Sequence, residues 1–137
     1  MKYFIASISK EHADIGIKNG FIQVCHGKQA PLKRMKANDK ILIYSAKLKM
    51  ESKEKFQKFV GLGEIIDNEI FQFQMNEDFC PFRKKVNFFK SKEVSILPLI
   101  EKLDFIPNKK SWGYPFRFGF LEIPEKDFLL IKGEMIE

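Results

Sequence analysis

The chain opens on an apolar run at 3–8 whose β-branched and aromatic side chains, without a helical period, predict a strand. Ser9 then offers a helix cap, with His12 at the third helical position, and Asn19-Gly20 supplies the stop, so a short helix is expected to about Lys18. Residues 21–24 read as a short strand or extended segment. Pro31 suits the first position of a single helical turn over 30–35, and polar turn residues at 36–39 lead into an apolar strand at 40–45. Between 47 and 58, Lys, Glu, Ser and Gln dominate with no apolar period, which predicts an exposed loop. A strand at 59–66 carries Gly61 and Gly63 two apart and therefore on one face, leaving room for a bend, another backbone or a ligand. Alternation predicts further strands at 70–75 and, after Cys80-Pro81, at 84–90. A short helix at 97–103 precedes an aromatic, Gly- and Pro-rich stretch at 112–120 that crosses or closes the sheet. Ile123-Pro124-Glu125 then reads as a strand end entering a last helix with Pro at N1.

Many short strands with few, short helices define an α+β chain: a curved mixed sheet of about five to six strands, or an open β-barrel, with helices at its edge. At 137 residues it fits a single domain, 1–137. An apolar fraction of 45% with 15 Phe supports a packed core, while the longest apolar runs fall far short of a membrane span, so no membrane partner is expected. The first residues lack a long apolar stretch with a cleavage site, which makes the cytoplasm the expected compartment and leaves Cys25 and Cys80 as thiols.

Charge and candidate chemistry sharpen the picture. The net charge of +6 comes from 24 Lys and Arg against 18 Asp and Glu, and it is clustered at 33–36, 47–58, 83–85 and 109–110 among Phe and Tyr. That mixture suits phosphate contact with base stacking, and equally the exterior of an ordinary domain. The densest chemistry lies at 20–47, where a Gly-interrupted basic loop, His26-Gly27-Lys28, precedes Lys33 and Arg34 and a strand ending in the Ser45 hydroxyl. Gly27 lets backbone approach a ligand, and the cations can meet anionic oxygens. A zinc site from His12, Cys25, His26 and Cys80 is disfavoured, because adjacent Cys25 and His26 point opposite ways along a strand. No phosphate-binding loop, dinucleotide fingerprint or serine-nucleophile elbow occurs, and no cofactor is expected.

Taken together, residues 20–45, FVGLGEI at 59–65, PFRKKVNFF at 81–89 and WGYPFRFGF at 112–120 resemble the EVE-domain family of the PUA-like superfamily, over about 3–131. The resemblance implies a pseudo-barrel wrapped by helices. It also implies a non-enzymatic, nucleic-acid-binding reader that takes a modified nucleobase of DNA or RNA into a pocket at the barrel mouth. The family's Tyr-Ser-Pro is Tyr44-Ser45-Ala46 here, which keeps the hydroxyl. The related YTH family, readers of methylated adenine in RNA, is similar more weakly. Carried over position by position, Ile22 and Phe88 face the two sides of a bound base and His12 takes its edge where that family has Asn. Both cage tryptophans are replaced, which implies a softer slot for a different modified base. Ser7, Gln23 and Ser45 are further edge contacts on this reading, and His26, Lys28, Arg34 and Arg117 hold phosphates. A base clasped in this way gains about 1–3 kcal/mol from stacking. The expected partner is nucleic acid and the expected state a monomer. The alternative is a small hydrolase of RNA or an acylated amine, as some PUA-like relatives are, with Lys28 and Glu64 as its chemical groups.

Overall fold

The computed structural model describes residues 1–51 and 53–136. In chain order, β1 (Tyr3–Ser7) leads into α1 (Lys10–Asn19), β2 (Phe21–Ile22), a 3-10 turn (Cys25–Gly27), α2 (Ala30–Lys33) and the long strands β3 (Lys40–Lys47) and β4 (Lys55–Ile65). There follow β5 (Phe71–Gln72), β6 (Phe82–Phe88), β7 (Val94–Ser95), 3-10 turns at Leu97–Lys102, Lys109–Ser111 and Tyr114–Phe118, β8 (Phe120–Ile123) and α3 (Glu125–Met135).

The strands form one mixed sheet in the order β2-β6-β4-β3-β1-β8, with β5 added on β6 and β7 on β4. β1 and β3 are parallel, so the chain between them must cross over, and α1, β2 and α2 occupy that crossover. The sheet curls into a half-barrel. Two devices bend it: the β3/β4 register shifts between Ile43 and Tyr44 and again between Ser45 and Lys47, and β6 crosses β4 closely at Gly63. A Cβ on Gly63 would stand 2.9 Å from the Asn87 carbonyl oxygen and 2.7 Å from Val86 Cγ1. The space foreseen at Gly61 and Gly63 is therefore filled by protein, with Ile17 and Ile43 lying over Gly61.

Burial follows the strand period. Leu42 and Tyr44 join Ile5, Leu62 and Phe128 in the cluster that includes α3 residues, whereas Ile41 joins Phe4, Ile22 and Val86 in a second cluster. Ile43 meets Ala13 of α1 and Val60. Covered on both faces, β3 reads as a continuous apolar run. Ser9 caps α1 by accepting from the His12 amide at 3.5 Å, and Gly20 closes the helix in the left-handed conformation. Asp127 of α3 is fully buried and accepts from the amides of Asp104 and Phe105 at 3.0 and 2.8 Å, tying the segment after the Leu97–Lys102 turn to the last helix. Among the described residues no helix is long and apolar enough to cross a membrane.

Three expectations need correction. The exposed loop expected over 47–58 is shorter, because Lys47 ends β3 and Lys55 already begins β4, where Lys58 pairs with Ser45. Cross-strand pairing there outweighs the missing apolar alternation. The strand expected at 70–75 shrinks to Phe71–Gln72. Pro124 is the residue before the first turn of α3 rather than its first position.

Candidate functional site

A cleft of about 780 Å³ opens where the end of β1, the first turns of α1, β2 with the loop after it, and the Tyr114–Phe118 turn converge. Its apolar wall includes Ile22, Val24, Ile43 and Phe116, the last stacked on Tyr44 with ring centroids 4.1 Å apart. The polar groups facing it include Ser7, Ser9, His12 and Gln23, and its cations are Lys47, Arg83 and Arg117. Among the described residues no Asp or Glu lines it. The cleft is thus positive and rich in neutral hydrogen-bonding groups over an apolar floor, the composition of a site for a planar, partly polar, anionic ligand.

The loop after β2 is strained in a way that shapes the rim. Cys25, His26 and Gly27 all have positive φ, at 48°, 61° and 80°. Such a conformation is rare outside glycine and persists only where surroundings impose it. Here they do. A side chain on Gly27 would collide with Pro81, 2.4 Å from its Cβ, the Gly27 amide donates to the Val24 carbonyl at 2.9 Å, and the Cys25 thiol donates to the Phe118 carbonyl at 3.5 Å. His26 is left exposed on the cleft rim. Burial raises the Cys25 thiol above its ordinary range, which the charge of Lys28 offsets only in part, so a reactive thiolate is not favoured. Opposite, the Ser7 amide donates to the Gly119 carbonyl at 2.9 Å, fixing the turn that carries Arg117.

Arg83 is the most constrained cation of the cleft. Its guanidinium lies over the Phe21 ring at 4.0 Å and the Phe73 ring at 4.4 Å, and its Nε donates to Gln23 Oε1 at 2.9 Å. The residue is only 8% exposed and, among the described residues, has no carboxylate within ion-pair distance. Burial lowers its pKa. No fully buried side-chain nitrogen or oxygen of the described residues lacks a partner, so the two Nη groups, which bond nothing among the described residues, are not fully buried. An Arg held between two rings with its Nη donors unengaged is preorganised to donate hydrogen bonds to an anion.

The cleft brings together Ser7, His12, Ile22, Gln23, His26 and Arg117 among the residues singled out in the sequence. The others lie elsewhere. Phe88 does not wall the cleft: Ile22 pairs opposite Lys84 on β6, and Phe88 sits four residues further along. Four residues of strand span about 13 Å, whereas two walls clasping a base stand about 7 Å apart. Phe88 instead packs over Gly63 and the clusters beneath α1 and around Ile22. The rings that do reach the cleft are Phe21, Phe79 and Phe116. Ser45 is fully buried and its hydroxyl donates to the Ile8 carbonyl at 2.6 Å, so it supports the wall from behind rather than meeting a ligand. Arg34 lies over the Phe4 and Phe120 rings with Glu122 at 3.8 Å, outside the cleft. Lys28 is exposed beside Cys25 without lining the cleft, and Glu64 pairs with Lys40 at 3.2 Å, so neither faces it. Among the described residues no three His, Cys, Asp or Glu side chains converge as a metal site. The sequence placed Arg83 only in a basic cluster, and Lys47 in a basic cluster expected to be an exposed loop. The alternation at 82–88 hinted that Arg83 faces one side of a strand, but its partners Phe21 and Phe73 come from separate segments.

Comparison with known proteins adds relatives. The family model for the EVE domain matches residues 2–133. The UPF0310 protein in the gntR 5′ region of Bacillus licheniformis is 46% identical over 129 residues, spanning 94% of this chain and 88% of that one. A UPF0310 protein of Helicobacter hepaticus is 46% identical over 137 residues, covering 100% and 98%. Among solved structures, a hypothetical protein from Leishmania major shares the fold with a TM-score of 0.60 at 12% identity, covering 97% of this chain and 93% of that one. Human THYN1, described in complex with 5-methylcytosine containing DNA, is more distant, with a TM-score of 0.49 at 12% identity over 100% and 99% of the two chains. At that distance the likeness carries no inference.

Proposed function

We propose that this chain, which belongs to the EVE-domain family, is a nucleic-acid-binding module that takes an unstacked, modified nucleobase into the cleft and leaves it unaltered. One observation carries the reading: a cleft of about 780 Å³ gathers Lys47, Arg83 and Arg117 with His12, Ser7 and Gln23 over an apolar floor, and no carboxylate of the described residues lines it. Carboxylates would repel phosphate and are the usual acid–base pair of hydrolysis; their absence from the lining favours holding a polyanion over cleaving one. His12, Ser7 and Gln23 meet the edge of the base, Ile22 one face, and Arg117 a phosphate outside the pocket. The module acts as a monomer in the cytoplasm.

The test is a thermal-shift and calorimetric screen against a panel of modified nucleosides, with His12→Ala as the variant. His12 is exposed on α1, so the fold survives its removal. Affinity for the best-binding nucleoside is expected to fall about 2- to 13-fold on loss of one edge hydrogen bond, with the nucleoside recovered intact. Binding indifferent to His12, or conversion of the nucleoside, would sink the reading.

A further inference from the structure

A second groove, of about 730 Å³, lies beside the cleft and is lined by Phe21, Ile66, Phe71, Phe73, Arg83 and Lys85 among others. Like the cleft, it is lined by no Asp or Glu of the described residues. The two cavities share Ile15, Phe21, Met75 and Arg83, so Arg83 stands on the divide between them. Phe73 is 51% exposed and Met75 52%, an unusual display of apolar surface on one short segment. The Arg83 guanidinium at 4.4 Å steadies the Phe73 ring while the residue's exposure leaves it open to stacking.

We infer that this groove is the subsite for the nucleotide next to the one whose base enters the cleft, and that Arg83 holds the phosphate joining the two. The inference rests on the base-binding reading above and deepens it: the ligand is a stretch of unpaired strand, recognised as at least two consecutive nucleotides. Three features point to this occupant. The groove offers a ring for stacking, which every base accepts. It bears Arg83 and Lys85 without a carboxylate, complementary to a polyanion and unlike a surface shaped for a mixed-charge protein partner. Arg83 lines both cavities, its Nε being the group engaged by Gln23, and a phosphodiester is what links two bases lodged in adjoining pockets.

The experiment compares, by titration calorimetry, the nucleosides 5-methyl-2′-deoxycytidine and N6-methyl-2′-deoxyadenosine with trinucleotides in which each is flanked by thymidines. Phe73→Ala, at an exposed ring, is expected to weaken the trinucleotide about 5- to 150-fold and leave the nucleoside unchanged. Arg83→Gln is expected to weaken the trinucleotide and flatten its salt dependence; should that variant not fold, Phe73→Ala decides alone. Equal losses for nucleoside and trinucleotide, or none, would overturn the subsite while leaving the cleft intact. Failure of wild-type protein to bind any of the four probes would overturn both readings. A sedimentation shift to a dimer that Phe73→Ala abolishes, with trinucleotide affinity untouched, would assign the groove to a second copy of the chain and overturn the subsite.

Discussion

Lys84 shows how little a buried charge need have to do with function. It is 1% exposed, neighbours Arg83 in β6 but faces the opposite side of the sheet, and its ammonium donates to the Glu69 carbonyl at 3.4 Å. Burial is the main cause that lowers its pKa, with Asp67, Glu69 and Asp39 pulling the other way. The unfolded chain therefore holds this proton more tightly than the folded one, and stability rises as pH climbs through the folded-state pKa toward the unfolded value. Lys84→Met keeps the length and removes the charge, so it is expected to raise the urea midpoint at pH 7 and to lose that advantage as pH approaches 10. A variant less stable than the parent at pH 7 would mean the ammonium is stabilising where it sits. Arg83 is the contrasting case, since its planar charge is met by two rings and an amide oxygen.

Among the elements, the one that matters most for integrity is the junction of α3 with the segment after the Leu97–Lys102 turn. Asp127 supplies its carboxylate to two successive amides there, and no apolar substitute satisfies them. Asp127→Ala is expected to cost at least about 2 kcal/mol, read as a lowered urea midpoint at unchanged slope, with nucleoside affinity preserved because the junction does not line the cleft. The cap of α1 was legible in advance, since Ser9, His12 and Gly20 are a local pattern and local hydrogen bonds enforce it. The start of β4 was not. Nothing within 55–58 announces a strand, and only the partner residues of β3 and β7 make it one. The aromatic stretch at 112–120 was legible as a closing segment. It forms the Tyr114–Phe118 turn and β8, whose pairing with β1 puts Arg117 at the cleft.

At the scale of the whole molecule, the excess of positive charge becomes useful only where anions do not neutralise it. Surface pairs such as Lys126 with Asp104 and Lys49 with Glu11 take some of the cations, while Lys47, Arg83 and Arg117 face the cleft with no carboxylate of the described residues in its lining. If each meets one phosphate, the logarithm of affinity for a fluorescent oligothymidylate falls against the logarithm of salt with a slope of roughly −2, and Arg117→Ala reduces it by about 0.7. Anisotropy between 50 and 200 mM salt, roughly the span over which such contacts weaken, measures it. A flat response would mean that the cations serve the fold alone. What the sequence by itself determined was the set of local objects: apolar strands, a capped first helix, a Gly-interrupted basic loop and a basic, Phe-rich composition. Each is written in neighbouring residues, because period, capping and turn chemistry act over a few positions. Which side chains share a cavity was decided only by tertiary structure. Pairing β2 against β6 set Phe88 too far from Ile22 to clasp a base, and the same pairing, with the segment after β5, closed Phe21 and Phe73 over Arg83. Such contacts join residues distant in the chain, and their geometry follows from strand register and sheet curl, which no short stretch of sequence encodes.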